Sequence, residues 1–137
     1  MGTRRRAREL ALQLLYQSEL TGAPPEHMQR HFEEWQSSSD SVREFADHLL
    51  RGALEHREEI DSELDRQTAH WRLDRLATVD RNILRLALYE LLFDNDTPHA
   101  VVIDEAIEIA KKFGAEESAR FVNGVLDGFV RRRSEAG

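Results

Sequence analysis

From Asp80 to Phe93 the chain is apolar on nearly every side of a helix. Ile83, Leu84, Leu86, Ala87, Leu88, Tyr89, Leu91, Leu92 and Phe93 leave no broad polar face. A helix of that kind is a buried central helix. It is shorter than the roughly 18 apolar residues of a membrane span and contains Arg85 and Glu90, so burial inside a protein is the better reading. The rest of the chain must therefore wrap around it.

That wrapping is helical as well. Apolar residues recur at helical spacing, and no Val/Ile/Thr-rich alternating run suggests a strand. The first segment runs from Thr3, a candidate N-cap, to Leu20, with Ala7, Leu10, Ala11, Leu14 and Leu15 as its stripe. Gly22, Pro24 and Pro25 break the chain. A short helix carrying Met28, Phe32 and Trp35 follows, and then the polar loop Ser37 to Asp40, which offers caps. A third helix is expected from about Ser41 to Arg66, bent near Gly52. Trp71, Leu73 and Leu76 anchor the connection to the central helix. Thr97-Pro98 reads as an N-cap with proline at the first helical position. The next helix pairs Glu108 with Lys112 at i, i+4 and ends at Gly114. A last helix spans roughly Glu116 to Arg132. The expectation is an all-α fold, a compact bundle of six or seven helices around the central one, forming a single domain over residues 1–137.

A chain of 137 residues buries about two thirds of its unfolded surface and needs no covalent staple. Cysteine is absent, which removes disulfides, thiol catalysis and Cys-based zinc sites and fits a reducing cytoplasm. There is no Gly-rich phosphate loop, no G-x-S-x-G, no H-E-x-x-H and no Glu-x-x-His pair for a di-iron bundle. His27 and His31, at i, i+4, have no second pair to complete a metal site; His48, His56, His70 and His99 are isolated. Glu58/Glu59 and Glu116/Glu117 read as solvated faces. Asn123-Gly124 weakens the last helix, and the expectation is close packing at Gly124 with a buried hydrogen bond at Asn123. No enzyme and no cofactor or metal is implied.

The formal net charge of −7 argues against a polyanionic partner, but the charge is unevenly placed. Arg4, Arg5, Arg6 and Arg8 crowd the start, Arg131, Arg132 and Arg133 lie near the end, and the middle is acidic. The C-terminal arginines complement the end of a helix. In the first helix, Tyr16 points away from the core stripe, beside Arg5, Glu9 and Leu12. Arginine and an outward ring suit unpaired RNA, through phosphate attraction and base stacking. A basic tail with a tyrosine packed on a neighbouring helix has the same pattern, and pattern alone leaves both open.

Four blocks narrow the choice. They are RRRARELALQLLYQ (Arg4 to Gln17), VDRNILRLALYELLF (Val79 to Phe93), VIDEAIEIAKKFGAEES (Val102 to Ser118) and RFVNGVLDGFVR (Arg120 to Arg131). In this order and spacing, the chain resembles the NusB family of transcription antitermination factors over nearly its whole length.

The resemblance implies an all-α fold of two helical subdomains. It implies binding to the single-stranded boxA element of ribosomal RNA operon transcripts, together with the ribosomal protein NusE, within an RNA polymerase antitermination complex. It implies no catalytic activity and no cofactor; no membrane is expected either, because no apolar run approaches the roughly 18 residues of a span. Carried over by position, the RNA-binding residues are Arg4, Arg5, Arg6, Arg8 and Tyr16, with Glu117, Arg120 and Phe121 at the turn into the last helix. Phe121 borders the inward stripe, so core and RNA-facing positions both stay open. The NusE side is expected at Asp80, extended to Arg85 and Glu90. Some relatives form homodimers, and nothing in the sequence decides between monomer and dimer. The segment Glu26 to Asp40 matches no family motif. A NusB-like domain also occurs in ribosomal RNA methyltransferases, a reading that requires a fused cofactor-binding domain, and a helical module that binds only protein is the other alternative.

Overall fold

The structure, a computed structural model, describes residues 2–68 and 76–136. Trp71 and Leu73 of the expected connection, and His70, lie outside them. Among the described residues there are eight helices and no strand. They are α1 (Thr3–Thr21), α2 (Pro25–His31), α3 (Glu33–Gln36), α4 (Asp40–Glu55), α5 (Arg57–Gln67), α6 (Thr78–Phe93), α7 (His99–Phe113) and α8 (Ser118–Ala136).

The central helix is as the hydropathy demands. Every residue of α6 from Asn82 to Leu91 is buried. Around it pack α1, α4, α5, α7 and α8. Its core includes Leu14, Leu49, Ile60, Leu64, Leu84, Leu88, Leu126 and Phe129. A second, smaller cluster of Ala7, Leu10, Val42 and Ala46, flanked by Phe32, Trp35 and Phe45, fastens α1 to α4. The apolar interior therefore has two parts, with α1 contributing to both.

The helix count exceeds the expectation because two expected helices are each split. Phe32 is extended (φ −100°, ψ 110°) and separates α2 from α3. The third helix breaks at His56 (φ −103°, ψ 21°), not at Gly52. Gly52 is needed for space: a Cβ there would lie 2.1 Å from Cζ of Tyr89, so the Tyr89 ring of α6 can lie against α4 only where α4 has no side chain.

Caps differ in detail. Ser39 caps α4 by accepting a hydrogen bond from the Val42 amide (3.3 Å). Thr3 and Thr97 do not cap; Gly2 and Pro98 hold those positions, with no side-chain hydrogen bond at either. Gly22 ends α1 in the left-handed region (φ 77°). Gly114 ends α7 with extended backbone, and it is small because Ser118 and the Ala110 carbonyl crowd it. Asn123 and Gly124 are both exposed, and a Cβ at Gly124 would meet nothing within 4 Å. The expected buried hydrogen bond and close packing there are not found.

Candidate nucleic-acid interface

The basic start of the chain is folded into α1, and its arginines are already engaged. Arg4 is exposed and lies over the Phe45 ring, 3.9 Å from its centre. Arg5 donates from Nε (2.8 Å) and Nη2 (2.5 Å) to one carboxylate oxygen of Glu105 on α7. That bond raises the Arg5 pKa above its ordinary value. Arg6 lies 3.5 Å from Glu9.

Arg8 departs from expectation. It is only 5 % exposed and donates two hydrogen bonds to Glu90 of α6, at 2.9 and 2.8 Å. Burial works against its charge, and the carboxylate more than restores it, leaving the pKa raised. Glu90 is 2 % exposed. Arg8 therefore has no open face for a phosphate, and Glu90 has none for a protein partner. The two charges lie inside an apolar core, where only pairing makes them tolerable.

The second face of α1 is half covered. Glu9 and Leu12, expected to be outward, are 2 % exposed beneath α7. Lys112 reaches across to Glu9 (3.1 Å) instead of pairing with Glu108, which takes Lys111 (3.5 Å). Arg5 and Tyr16 remain half-exposed at the two ends of this covered stretch, on nearly one line of the helix. Lys112 thus ties the end of α7, and with it the turn leading to α8, against α1. In that turn and the first residues of α8, Glu117 and Arg120 are exposed, and Phe121 is half-buried against the core. Glu105 was not singled out in the sequence, and Lys112 was given a local partner in Glu108, because the partners they take lie about a hundred residues away.

The expected partner side also changes. Asp80 is half-exposed at the start of α6, with Oδ1 enclosed and unpaired. Arg85 is 7 % exposed and donates to both oxygens of Asp61 (2.8 and 3.0 Å), to Glu19 (2.7 Å) and to Asn82 (3.2 Å). It joins α1, α5 and α6 and is not available to a partner. Arg81 also bonds Glu19. Burial pushes the Glu19 carboxyl up, but the hydrogen bonds from Arg81 and Arg85 outweigh it and hold the pKa below its ordinary value. The exposed surface beside Arg85 carries Glu58 and Asp65 on α5, with Arg57 among them 3.6 Å from Asp61 and 3.8 Å from Glu19.

Among the described residues no group of three metal-ligating side chains occurs; His27 and His31 face each other with ring centres 4.5 Å apart and no third ligand. His48 and His56 sit between helices, on Asp94 (3.1 Å) and on the Phe93 ring (3.9 Å between centres). Among the described residues no helix is long and apolar enough to cross a membrane.

The model of the NusB family matches residues 5–131. The chain belongs to the NusB family. Curated family relatives named transcription antitermination protein NusB are 48 % identical in Geobacter sulfurreducens, over 93 % of each chain, and 49 % identical in Trichlorobacter lovleyi, over 93 % of this chain and 89 % of that one. The NusB of T. maritima superposes with a TM-score of 0.83 at 42 % identity, covering 93 % of this chain and 90 % of that one. A crystal structure of antitermination factors NusB and NusE in complex with double-stranded RNA contains a chain with a TM-score of 0.86 at 33 % identity, covering 96 % and 98 %. These NusB relatives are matched over most of their own length, so the likeness is to whole proteins of this size.

Proposed function

We propose that this NusB-family chain is a transcription antitermination factor that binds boxA-type RNA of ribosomal RNA operon transcripts together with NusE. It joins an RNA polymerase antitermination complex and works in the cytoplasm, where transcripts are made. It is not an enzyme. The observation that carries the RNA reading is the half-exposed Tyr16 on one line of α1 with Arg5, with the end of α7 tied to the same helix by Lys112 on Glu9. In this reading Arg4, Arg5, Arg6 and Arg120 contact phosphates, Tyr16 stacks on an unpaired base, and Phe121 presents the edge of its ring. Arg8 supports the face from within. Asp80 and the acidic surface of α5 suit a basic ribosomal protein.

Binding to a boxA-like single-stranded RNA, with and without NusE, tests this. Tyr16→Ala should weaken binding by about 1–3 kcal/mol, the usual value of one stacked base. Affinity should fall as salt rises. Absence of RNA affinity even with NusE present would make the chain a protein-only module.

A further inference from the structure

The RNA-facing arginine that lies deepest in the seam between α1 and α7 is already occupied. Glu105 accepts two hydrogen bonds from Arg5, in the arrangement a phosphate oxygen would adopt. The pair is placed for exchange. The Arg5 side chain is 35 % exposed, whereas that of Glu105 is 16 % exposed and sits on the protein side. Glu105 also has a second cation at hand, since its other oxygen lies 3.8 Å from Nη1 of Arg8. Arg8 is meanwhile secured by Glu90 and does not depend on Glu105. A phosphate arriving from solvent can therefore take Arg5 without leaving Glu105 unpaired.

We infer that Glu105 is an internal stand-in for phosphate, an autoinhibitory contact that keeps Arg5 neutralised until RNA displaces it and so sets the affinity of the RNA face. The inference rests on the RNA-binding reading above and concerns how that face is restrained. It has a consequence for salt dependence. A phosphate contact on single-stranded nucleic acid contributes a slope of about −0.7 in the logarithm of affinity against the logarithm of salt. A cation with its own carboxylate beside it contributes less than this, because the pair presents little net charge to the RNA.

The test is RNA binding across a salt series with the full chain. Glu105→Gln should tighten binding about two- to fivefold, the range an exposed ion pair supplies. It should also steepen the slope by up to about 0.7. Asp104→Asn, at an exposed neighbouring position, changes net charge equally with no arginine to release, and should give a smaller gain. Adding Arg5→Gln to Glu105→Gln should abolish the gain. Glu105→Asp keeps the charge but shortens its reach, so it should fall between wild type and Glu105→Gln; it carries the test if the glutamine variant loses its fold. Binding of Glu105→Gln that is no tighter than that of Asp104→Asn, or weaker than wild type, would overturn the inference and make Glu105 a positioning residue for Arg5. Failure of the RNA reading itself looks different: wild type would not bind, and Tyr16→Ala would change nothing.

Discussion

Replacing Arg8 by Met separates an architectural arginine from an RNA-binding one. Arg8 and Glu90 are 5 % and 2 % exposed and joined by two hydrogen bonds, so the substitution leaves a carboxylate buried opposite a thioether. Breaking a buried pair from one side costs about 3–5 kcal/mol, because the remaining charge has no solvent to return to. Whole domains are stable by only about 5–15 kcal/mol. A chain of this size loses about 4 °C of Tm per kcal/mol, so Tm should fall by roughly 10–20 °C. Adding Glu90→Leu removes the orphaned charge and should recover most of the loss, since well-packed apolar residues replace buried ion pairs at little cost. Thermal unfolding by circular dichroism reads both variants, and RNA binding by the double variant reads function apart from stability. A single Arg8→Met variant with unchanged Tm but lost RNA affinity would refute the placement of Arg8 inside the fold.

Two further predictions concern stability. Gly52→Ala drives a Cβ into the Tyr89 ring and should destabilise by about 1–3 kcal/mol, whereas Gly124→Ala adds a methyl to open space in a helix and should stabilise by about 0.5–1 kcal/mol; urea unfolding of the two variants should show opposite signs. The Glu19 carboxyl has a pKa below its ordinary value in the folded state, so its contribution is present above the unfolded value of about 4.3 and is lost as pH falls through the folded one. Wild type should lose stability across that acid range, and Glu19→Gln should flatten the profile while lowering stability at neutral pH.

The central helix was legible because its signal is local: ten consecutive buried residues follow from an apolar run with no polar side. The break at His56 was not, because no glycine or proline marks it and the nearby glycine serves another purpose. Gly52 admits the Tyr89 ring, while Gly124, which looked like a packing glycine, faces open space. These two roles leave the same letter in the sequence. The charged residues are the more instructive failure. Arg85 and Glu90 lie within the all-apolar segment, and their surroundings alone required burial and therefore partners within the chain. Arg8 and Glu19 on α1 and Asp61 on α5 are those partners, 82, 66 and 24 residues away. Family position assigned Arg8 to RNA, and an extension from Asp80 along the same helix put Arg85 and Glu90 on the partner side, whereas burial and pairing set all three to holding helices together.

The same network explains how a chain of net charge −7 can serve a polyanion. At physiological ionic strength charges separated by more than about 8 Å are largely screened, so the sum over the molecule matters little at any one contact. Arg5 and Tyr16 are eleven residues apart on α1, about 16 Å at 1.5 Å per residue, so even this one face spans two screening lengths. What RNA meets at each point is the local balance: Arg5 with Glu105, Arg6 and Lys112 with Glu9, Arg4 on an uncharged ring. Among the described residues assigned to RNA, only Arg4 and the exposed Arg120 at the start of α8 present a cation with no carboxylate bound to it. Affinity for RNA alone is therefore limited by carboxylates within a few ångströms of the arginines and not by the acidic surface of α5, and for that reason a single neutral substitution at Glu105 should outweigh one at Asp104.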